Sequence, residues 1–504
     1  MKRPAHLSRH HFTILLIVFV VGIALRLVNI GAPLLGPHSY RQADTAGIAR
    51  NFHVDGIDLG RPKVDDRGTG TGVLGETEMP LFNGVIALAY GVTGPELWVA
   101  RSLAGLGSIV TFFSLFLLVR RWTGNDRAAL ISSCLWFLLP YNIYFSMAIM
   151  PESWMLGGMT LGLLLFDVWA EKPRRWWAFI SAAVVVALTG LVKVPALHTG
   201  LFMGVVLWWR QPSLKTWLRL LPALILFALV TLVPNILWVI HSTRVGQEDG
   251  ATVMGLSGKL GDFTPLFRWD FYNKVIFQHL FEKLLTWAGL PLVLAGSLVA
   301  WKAGGGARLI FAWCAAVLVL FFVSLGPLEP HEYYKLPLVL PLCIFMGMAI
   351  DAGLSCTHDR GRQIITIGLT VALAVLAFSR LPRIWRQQVP GYTTEYAMGE
   401  AFSQHTEPGD LVISVDPGDS GDMTVLYLAD RKGWIIPAGD IDPEGGFETF
   451  FDQGAAVVGC RRDVFARAGL EDWLDRLLQN HDVLVDDGNV VLVARGNSSG
   501  LMPD

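Results

Sequence analysis

The strongest constraint on the fold is a series of eleven apolar runs that are long enough, or nearly long enough, to cross a lipid bilayer. The 504-residue chain is 53% hydrophobic and only 16% charged, whereas soluble domains average roughly 25% charged residues. We therefore predict a polytopic α-helical membrane protein with about eleven transmembrane helices. The runs lie at about residues 12–30, 97–119, 128–149, 153–170, 176–192, 196–209, 218–240, 287–301, 308–325, 336–354 and 364–380.

Two features of these runs need separate interpretation. The first run has basic flanks like a signal peptide, but it lacks a small-residue cleavage site and many further runs follow. We therefore interpret it as a retained anchor. Runs 176–192 and 196–209 are short, and Lys193-Val194-Pro195 separates them. They could form a broken or re-entrant pair.

The short connections on one side of the predicted bundle are all basic, which indicates the orientation by the positive-inside rule. The connections at 31–80, 241–286 and 326–335 are longer, and acids dilute their bases. We expect a bacterial inner-membrane protein with a cytoplasmic N-terminus, and an odd number of spans then places the C-terminus outside. The basic residues are Lys2, Arg3, Arg9, Arg120, Arg121, Arg127, Lys172, Arg174, Arg175, Arg210, Lys215, Arg219, Lys302, Arg308, Arg360 and Arg362.

Residues 393–504 are predicted to form a small soluble extracytoplasmic α/β domain after a membrane domain at 1–392. This tail contains 21 acidic and 7 basic residues, whereas the whole chain has a net charge of only −2. Helical periodicity appears near 395–405 and 463–480, and Asp487-Gly488 is typical of a hairpin turn. Short apolar runs predict strands at Leu411–Val415, Val425–Ala429, Ala455–Cys460 and Val490–Ala494.

On the predicted topology, the unusual polar residues all fall on the outer face of the membrane. The first and most informative group is HSYRQADTAGIARNF at 38–52, which carries Asp44 between Arg41 and Arg50. A charged residue at a membrane boundary costs desolvation energy unless it has a partner or a task. The further members are Glu76 and Glu78 in GETEMPLF, Glu152 in MPES, Lys193 in LVKVP, and His331, Glu332, Tyr333, Tyr334 and Lys335 in HEYYKLP.

Each of these residues also has a purely structural interpretation. Lys335 or Arg50 could extend its ammonium or guanidinium to the aqueous interface, and Tyr333 and Tyr334 could be interface aromatics. Glu152 follows Pro151 and could complement a helix dipole. Five such groups on one face make a shared site the better explanation of the set.

These segments, in this order, resemble the membrane-embedded C-type (GT-C) glycosyltransferases, specifically the protein mannosyltransferase-like group that also includes the aminoarabinose transferase acting on lipid A. The likeness extends over roughly residues 12 to 355, and 38–52 is its most specific part. The resemblance implies a polyprenyl-phosphate-linked monosaccharide as donor, an acceptor glycan, lipid or protein, and reaction on the outer face.

The resemblance also assigns roles to individual residues. Asp44, in the predicted catalytic outer loop 31–80, matches the catalytic acid of the first outer loop. The second acid found in many members is Thr45 here. Glu78 matches an acid before Pro, but the lysine beside it in aminoarabinose enzymes is Met79. Aminoarabinose is therefore not the expected sugar. Glu152 matches a further acidic position of the group, and Lys193 matches a Lys that precedes a small residue and Pro.

The chemistry of the residues agrees with these roles. A phosphate leaves well when cations hold its developing charge, so departure needs no general acid. A carboxylate is needed to accept the proton of the acceptor hydroxyl as it attacks C1 from the opposite face. We predict Asp44 as base and an inverted product. Lys193, Arg41 and His331 are the predicted phosphate contacts, and Glu78, Glu152, Tyr334, Glu76 and Lys335 the predicted substrate contacts.

No metal or other cofactor is expected, because Lys and Arg can hold phosphate oxygens directly. The segment GDIDPEGG at 439–446 imitates the start of a calcium loop, but Phe451 stands where the closing Glu belongs. The charge balance gives no indication of nucleic-acid binding. A transporter or lipid flippase is the main alternative, but its charges would lie near mid-membrane. A non-catalytic scaffold would leave the polar groups unexplained.

Overall fold

The structure of the protein is a computed structural model that describes residues 8–68, 70–75, 78–248, 262–356, 358–390, 393–416, 422–441 and 446–496. All eleven predicted apolar runs form helices, because the backbone of an apolar segment in lipid must satisfy its hydrogen bonds within the segment. The helices before the C-terminal domain are α1 (Arg9–Leu27), α2 (Ser39–Asp55), α3 (Leu81–Thr93), α4 (Leu97–Thr123), α5 (Asp126–Leu138), α6 (Pro140–Met147), α7 (Glu152–Glu171), α8 (Trp176–Val192), α9 (Thr199–Arg210), α10 (Leu214–Glu248), α11 (Trp269–Tyr272) continuing as a π-helix (Asn273–Leu284), α12 (Gly289–Ala303), α13 (Leu309–Val323), α14 (Leu336–Leu354), α15 (Arg360–Phe378) and α16 (Leu381–Arg386).

Within the described residues, seven helices are long and apolar enough to cross a membrane, and up to nine if each of two bent pairs is one span. The bent pairs are α5 with α6, and the segment Trp269–Leu284 with α12. Helices α3 and α8 are apolar but shorter. The chain is thus a multi-pass membrane protein. The predicted run at 128–149 contains the first bend, whereas the second bend lies between Leu284 and Gly289, at the start of the predicted run 287–301.

The helices form an inner and an outer set. Helix α14 is almost entirely buried and packs against α5, α12, α13 and α15. Helices α10 and α15 instead expose most of their Leu, Ile, Val and Phe side chains, and α1 exposes half of them. Such continuous apolar exposure suits contact with lipid rather than with water.

The helical structure is interrupted where the sequence predicts it, between α8 and α9. Lys193 is extended (φ −158°, ψ 106°) and ends α8. A 3₁₀ turn, Val194–His198, follows, with Pro195 in its first turn, where the missing N–H of proline has no helical partner to lose. This break places Lys193 at the end of the helix bundle that carries the other predicted site residues.

At the other end of the bundle, basic residues pair with a buried acid. Asp167 accepts from Arg210 Nε at 2.8 Å and from Arg121 Nε at 2.5 Å. Because α4, α7 and α9 each contribute one of these residues, the pairs tie three helices together while satisfying the buried carboxylate.

The C-terminal domain contains a five-stranded sheet of order β2-β1-β3-β5-β4, with β1 parallel to β2 and β3, and β5 antiparallel to β3 and β4. The predicted hairpin at Asp487-Gly488 joins β4 and β5, and Gly488 has the positive φ (88°) that such a turn requires. The elements are α17 (Thr394–His405), β1 (Leu411–Asp416), α18 (Thr424–Ala429), β2 (Lys432–Pro437), α19 (Glu448–Asp452), β3 (Ala455–Arg461), α20 (Arg462–Ala468), α21 (Glu471–Asn480), β4 (Asp482–Asp486) and β5 (Val490–Ala494).

Two predictions for this domain were wrong in detail. Val425–Ala429 belongs to helix α18 rather than to a strand, because Asp422 accepts from the first N–H of the helix (Thr424 N to Asp422 Oδ1, 2.8 Å) and Asp430 ends it in the left-handed conformation. The predicted helix 463–480 is two helices, because Gly469 ends α20 with φ +69°. Strand β2 was not predicted.

Candidate functional site

Helix α2 presents Arg41 and Asp44 to the same part of the structure, because residues three apart lie on one helix face. Arg41 NH1 lies 3.3 Å from Asp44 Oδ2, and Arg41 NH2 lies 2.8 Å from Glu78 Oε2. All three side chains are between 15% and 18% exposed. The guanidinium therefore bridges the predicted base and an acid of the same outer loop.

Lys193 connects the group formed by Asp44, Arg41 and Glu78 to a third carboxylate. Its Nζ lies 2.7 Å from Glu78 Oε1 and 2.6 Å from Glu152 Oε1. The backbone supports the approach, because Met79 N donates to Leu191 O at 2.8 Å. Lys193 and Glu152 are both buried, and an ammonium in such surroundings stays charged only with compensating carboxylates.

The result is a continuous chain of alternating charges, which we call the charge chain: Asp44, Arg41, Glu78, Lys193 and Glu152. With three carboxylates and two cations, its formal charge is −1. The loops and helix ends that carry these residues come from four separate segments, so the predicted convergence of the outer-face groups is present in the structure for these five.

The space beside Asp44 is small in this conformation. Arg41, Asp44, Glu78, Asn83 and Pro151 are among the residues that line a cavity of about 20 Å³. That volume accommodates about one water molecule and is too small for a sugar.

Aromatic residues of HEYYKLP adjoin the charge chain. Lys193 Nζ lies 5.8 Å and 5.7 Å from the ring centroids of Tyr333 and Tyr334, within the range of cation–π attraction. His331 Nδ1 lies 3.2 Å from the hydroxyl of Tyr40. Burial, together with the neighbouring His38 and Lys335, lowers the pKa of His331 to about 4. His331 is therefore neutral near pH 7 and could offer a phosphate a hydrogen bond but not a charge.

The structure does not bring Lys335 to the charge chain. Its ammonium donates to the carbonyl oxygens of Leu328 and of His331 (2.7 Å), and it lies 2.9 Å from His279 Nδ1. These contacts occupy its three protons within its own part of the bundle. A role for Lys335 in substrate binding would need a different conformation.

Glu76 lies outside the described residues, as does half of the calcium-like segment, at 442–445. Among the residues that the structure describes, no group of three His, Cys, Asp or Glu side chains could hold a metal ion. The charge chain itself pairs each carboxylate with a cation of the protein.

A second polar cluster lies at the start of α2 and was not predicted from the sequence. His38 is left-handed (φ 56°) and its Nε2 lies 3.0 Å from Glu332 Oε2. Lys283 Nζ binds the other oxygen of Glu332 at 2.9 Å. The sequence signal was HEYYKLP itself, in which Glu332 was noted without a partner. Arg50, which could have extended toward the aqueous interface, instead forms ion pairs with Asp65 and Asp430.

Comparisons with known proteins identify the fold that carries this site. Residues 77–238 match the family model described as dolichyl-phosphate-mannose-protein mannosyltransferase. The crystal structure of ArnT from Cupriavidus metallidurans in the apo state superimposes with a TM-score of 0.65 at 16% identity, over 96% of this chain and 98% of that one. The chain has the fold of the C-type membrane glycosyltransferases.

Two further structures support the same fold. ArnT from Cupriavidus metallidurans bound to undecaprenyl phosphate matches with a TM-score of 0.59 at 17% identity, over 98% of this chain and all (100%) of that one. The archaeal oligosaccharyltransferase AglB from Archaeoglobus fulgidus, in complex with an inhibitory peptide and a dolichol-phosphate, matches with a TM-score of 0.60 at 11% identity, over 98% of this chain and 75% of that one. No curated protein matches the chain significantly in sequence.

The likeness to C-type glycosyltransferases predicted from 38–52, MPES, LVKVP and HEYYKLP is therefore confirmed. The family match includes Glu78, Glu152 and Lys193, but it begins after Asp44. At these low identities the structures establish the fold and not the substrate, so the individual roles of the site residues stay predictions.

Proposed function

We propose that the chain is an inverting glycosyltransferase that moves a monosaccharide from a polyprenyl-phosphate carrier to an acceptor hydroxyl, with Asp44 as general base. The observation that carries the proposal is the charge chain, in which a carboxylate and two cations meet at one end of the bundle. The undecaprenyl phosphate in the ArnT structure of similar fold supports the choice of donor.

The reaction needs one proton transfer and one bond exchange at C1 of the sugar. The acceptor oxygen forms a bond to C1 while the bond from C1 to the phosphate oxygen breaks. The electron pair of that bond goes to the phosphate, and the hydroxyl proton of the acceptor goes to Asp44. Attack opposite the leaving group inverts the anomeric configuration.

The charge chain suggests how the donor would be received. Arg41 bridges Asp44 and Glu78 in the structure. A donor phosphate competes for the same guanidinium, because Arg binds carboxylates and phosphates through the same bidentate geometry. We infer that phosphate binding draws Arg41 away from Asp44, which opens the small cavity and frees a carboxylate oxygen for the acceptor proton.

Lys193 would hold the charge that develops on the departing phosphate. In the structure its ammonium is held between Glu78 and Glu152, which fix it in place before the reaction. Such preorganised cations stabilise a transition state without reorganising during the reaction. Glu78, Glu152 and Tyr334 would complete the sugar or acceptor contacts, with His331 as a neutral donor to phosphate.

The same proposal extends to location and domains. The charge chain lies on the side of the bundle that contacts the C-terminal domain, since α2 touches both. We propose that this is the outer face of a bacterial inner membrane. On this proposal residues 1–392 are the membrane domain, and residues 393–504 an extracytoplasmic domain beside the site. The charges lie at one end of the bundle rather than within it, which favours a transferase over a transporter.

The test uses purified protein in lipid nanodiscs with polyprenyl-phosphate-linked monosaccharides and an acceptor glycan or lipid extract. Asp44→Asn keeps the shape and a hydrogen-bond acceptor for Arg41 but cannot take up a proton, so we expect transfer to fall by about 10²–10⁴-fold. Asp58→Asn is the matched control, because Asp58 is an exposed acid of the same outer loop and, within the part of the chain that the structure describes, accepts hydrogen bonds from the backbone of its own loop.

Transfer with an inverted product that Asp44→Asn abolishes and Asp58→Asn retains would support the proposal. Full activity of Asp44→Asn would remove Asp44 as base. Uptake of a lipid-linked sugar into proteoliposomes without any glycosylated product would favour a flippase instead.

A further inference from the structure

Arg50, in the second half of α2, binds the outer loop and the C-terminal domain at the same time. Its NH2 lies 2.7 Å from Asp65 Oδ2, and its NH1 lies 2.6 Å from Asp430 Oδ1 and 3.2 Å from the carbonyl oxygen of Tyr427. The guanidinium also stacks over the Tyr427 ring at 4.5 Å. One side chain therefore joins three segments that are far apart in sequence.

Asp65 anchors this contact from inside the outer loop. It is fully buried, and its second oxygen accepts from Asn51 Nδ2 at 3.2 Å. Gly47 allows the approach, because a Cβ there would lie 3.0 Å from Asp65 Oδ2. Both oxygens of the buried acid are thus satisfied by α2, as a buried carboxylate requires.

The outer loop also pairs with the edge of the C-terminal sheet. Gly433 N donates to Asp65 O at 3.0 Å, and Arg67 N donates to Gly433 O at 2.7 Å. Gly433 lies in β2, which is an edge strand of the sheet. The loop therefore covers part of an edge whose backbone groups would otherwise need water or another partner.

Apolar packing continues the same interface. Tyr427 of α18 is buried in a cluster with residues of α2, α3 and α4, among them Ala43, Ala46 and Ala49. The interface thus combines ion pairs, backbone hydrogen bonds and burial.

We propose that Arg50 is a positioning residue through which the C-terminal domain holds α2, and with it Asp44, in the geometry for transfer. This inference rests on the proposed function. Asp44 lies six residues before Arg50 on the same helix, or about 9 Å along its axis. A helix moves as a rigid element over that distance, so a shift at Arg50 displaces Asp44 by a similar amount. A misplacement of about 1 Å can cost about 10²-fold in rate.

The test weakens the contact from the exposed side. Asp430 is 74% exposed and left-handed (φ 54°), so Asp430→Asn removes its charge while keeping a residue that tolerates this conformation. The matched control is Asp452→Asn, which removes an exposed ion pair with Arg495 (2.8 Å) in the same domain. Asp452 is not among the residues that bind α2.

Two measurements are made on each full-length variant in nanodiscs. In transfer assays we expect Asp430→Asn to lower kcat by about 3- to 10-fold with KM changed less than about twofold, and Arg50→Lys to lower kcat by about 10-fold or more. In hydrogen–deuterium exchange we expect Asp430→Asn to speed exchange of peptides from α2. Asp452→Asn should match the wild type in both measurements.

The two measurements separate the possible failures. If the wild type transfers no sugar, the proposed function fails, while exchange in α2 still decides whether the domain holds the helix. Exchange in Asp430→Asn equal to that of Asp452→Asn would overturn the coupling. Faster exchange with an unchanged kcat would show a contact that stabilises α2 without positioning Asp44, and would overturn the catalytic part of the inference.

Discussion

Replacing Lys193 with methionine should destabilise the protein more than replacing its partner Glu152 with glutamine. Glu152 is buried, and no described residue hydrogen-bonds to either of its carboxylate oxygens, so the Lys193 ammonium at 2.6 Å is its compensating charge. Lys193, in contrast, would retain Glu78 at 2.7 Å if Glu152 were neutral. The structure therefore predicts an asymmetry between two substitutions of the same ion pair.

The magnitudes follow from the distances. At an effective dielectric constant of about 20, unit charges 2.6 Å apart attract by about 6 kcal/mol, and the cost of desolvating the pair opposes this attraction. Removing one partner of a buried pair costs about 3–5 kcal/mol, which we expect for Lys193→Met. For Glu152→Gln we expect about 1–3 kcal/mol, the cost of leaving a buried polar group without its hydrogen bonds, because Lys193 keeps Glu78 as its compensating charge. The double variant should recover about 2 kcal/mol or more of the summed loss.

The assay is the midpoint of thermal unfolding in nanodiscs at one fixed heating rate, because large membrane proteins unfold irreversibly and only matched scans compare. We expect Lys193→Met to be the least stable, the double variant to lie above it, and Glu152→Gln to lie nearest the wild type. Arg268→Met is the control, since its pair with Glu329 (2.5 Å) is largely exposed and is worth about 1 kcal/mol or less. Equal, additive losses for the two single variants would refute the view that Glu152 depends on Lys193.

Two further predictions test the fold and the state of His331. Gly107→Ala should strongly lower the unfolding midpoint, because the new Cβ would lie 2.3 Å from the Ser153 carbonyl oxygen where α4 meets α7. The control Gly91→Ala places its Cβ in open space and should leave the midpoint unchanged or raise it slightly. Equal midpoints for the two variants would contradict the close approach of α4 and α7. Because the pKa of His331 is lowered to about 4, its neutral form stabilises the fold above the unfolded value of about 6.5, and this contribution is lost as the pH falls toward 4. The pH–rate profile of His331→Gln should therefore keep the wild-type shape between about pH 5.5 and pH 8, and loss of an inflection near pH 6.5 would show that His331 titrates during turnover.

The membrane part of the fold follows from the sequence, because apolar runs in lipid have no stable alternative to the helix. The way one of those runs crosses the membrane does not follow. The run at 128–149 bends by 63° between α5 and α6, where Leu139 is extended and Pro140 starts a new helix. A proline at the first position of a helix and one inside a helix look alike in a hydropathy pattern, and packing decides between them.

The C-terminal domain shows the same limit on a smaller scale. Val425–Ala429 has too few residues for a helical and a strand periodicity to differ. Its two ends decide its structure, because Asp422 accepts a backbone N–H and Asp430 adopts the left-handed conformation. Both residues are visible in the sequence as capping types, and reading them before the apolar run would have favoured a helix.

The charge chain was predictable as a set of residues but not as a set of pairs. Loop acids and interfacial bases mark one end of the bundle, yet Glu78 could have paired with any of several cations there. Arg50 shows why. Its nearest carboxylates in sequence, Asp44 and Asp55, are not its partners, and Asp430 is far away in the chain. A local interpretation therefore assigns Arg50 to solvent.

Helix α2 has little in its own sequence to fix where it lies. It has no acidic residue in its first turn, and it starts from a left-handed His38 without a side-chain cap. Its position is imposed from outside, by Glu332 at the start and by Asp65 and Asp430 near the end. The placement of Asp44 is therefore a property of contacts between distant segments. Substitutions that loosen either end of α2 should alter transfer without touching the substrate.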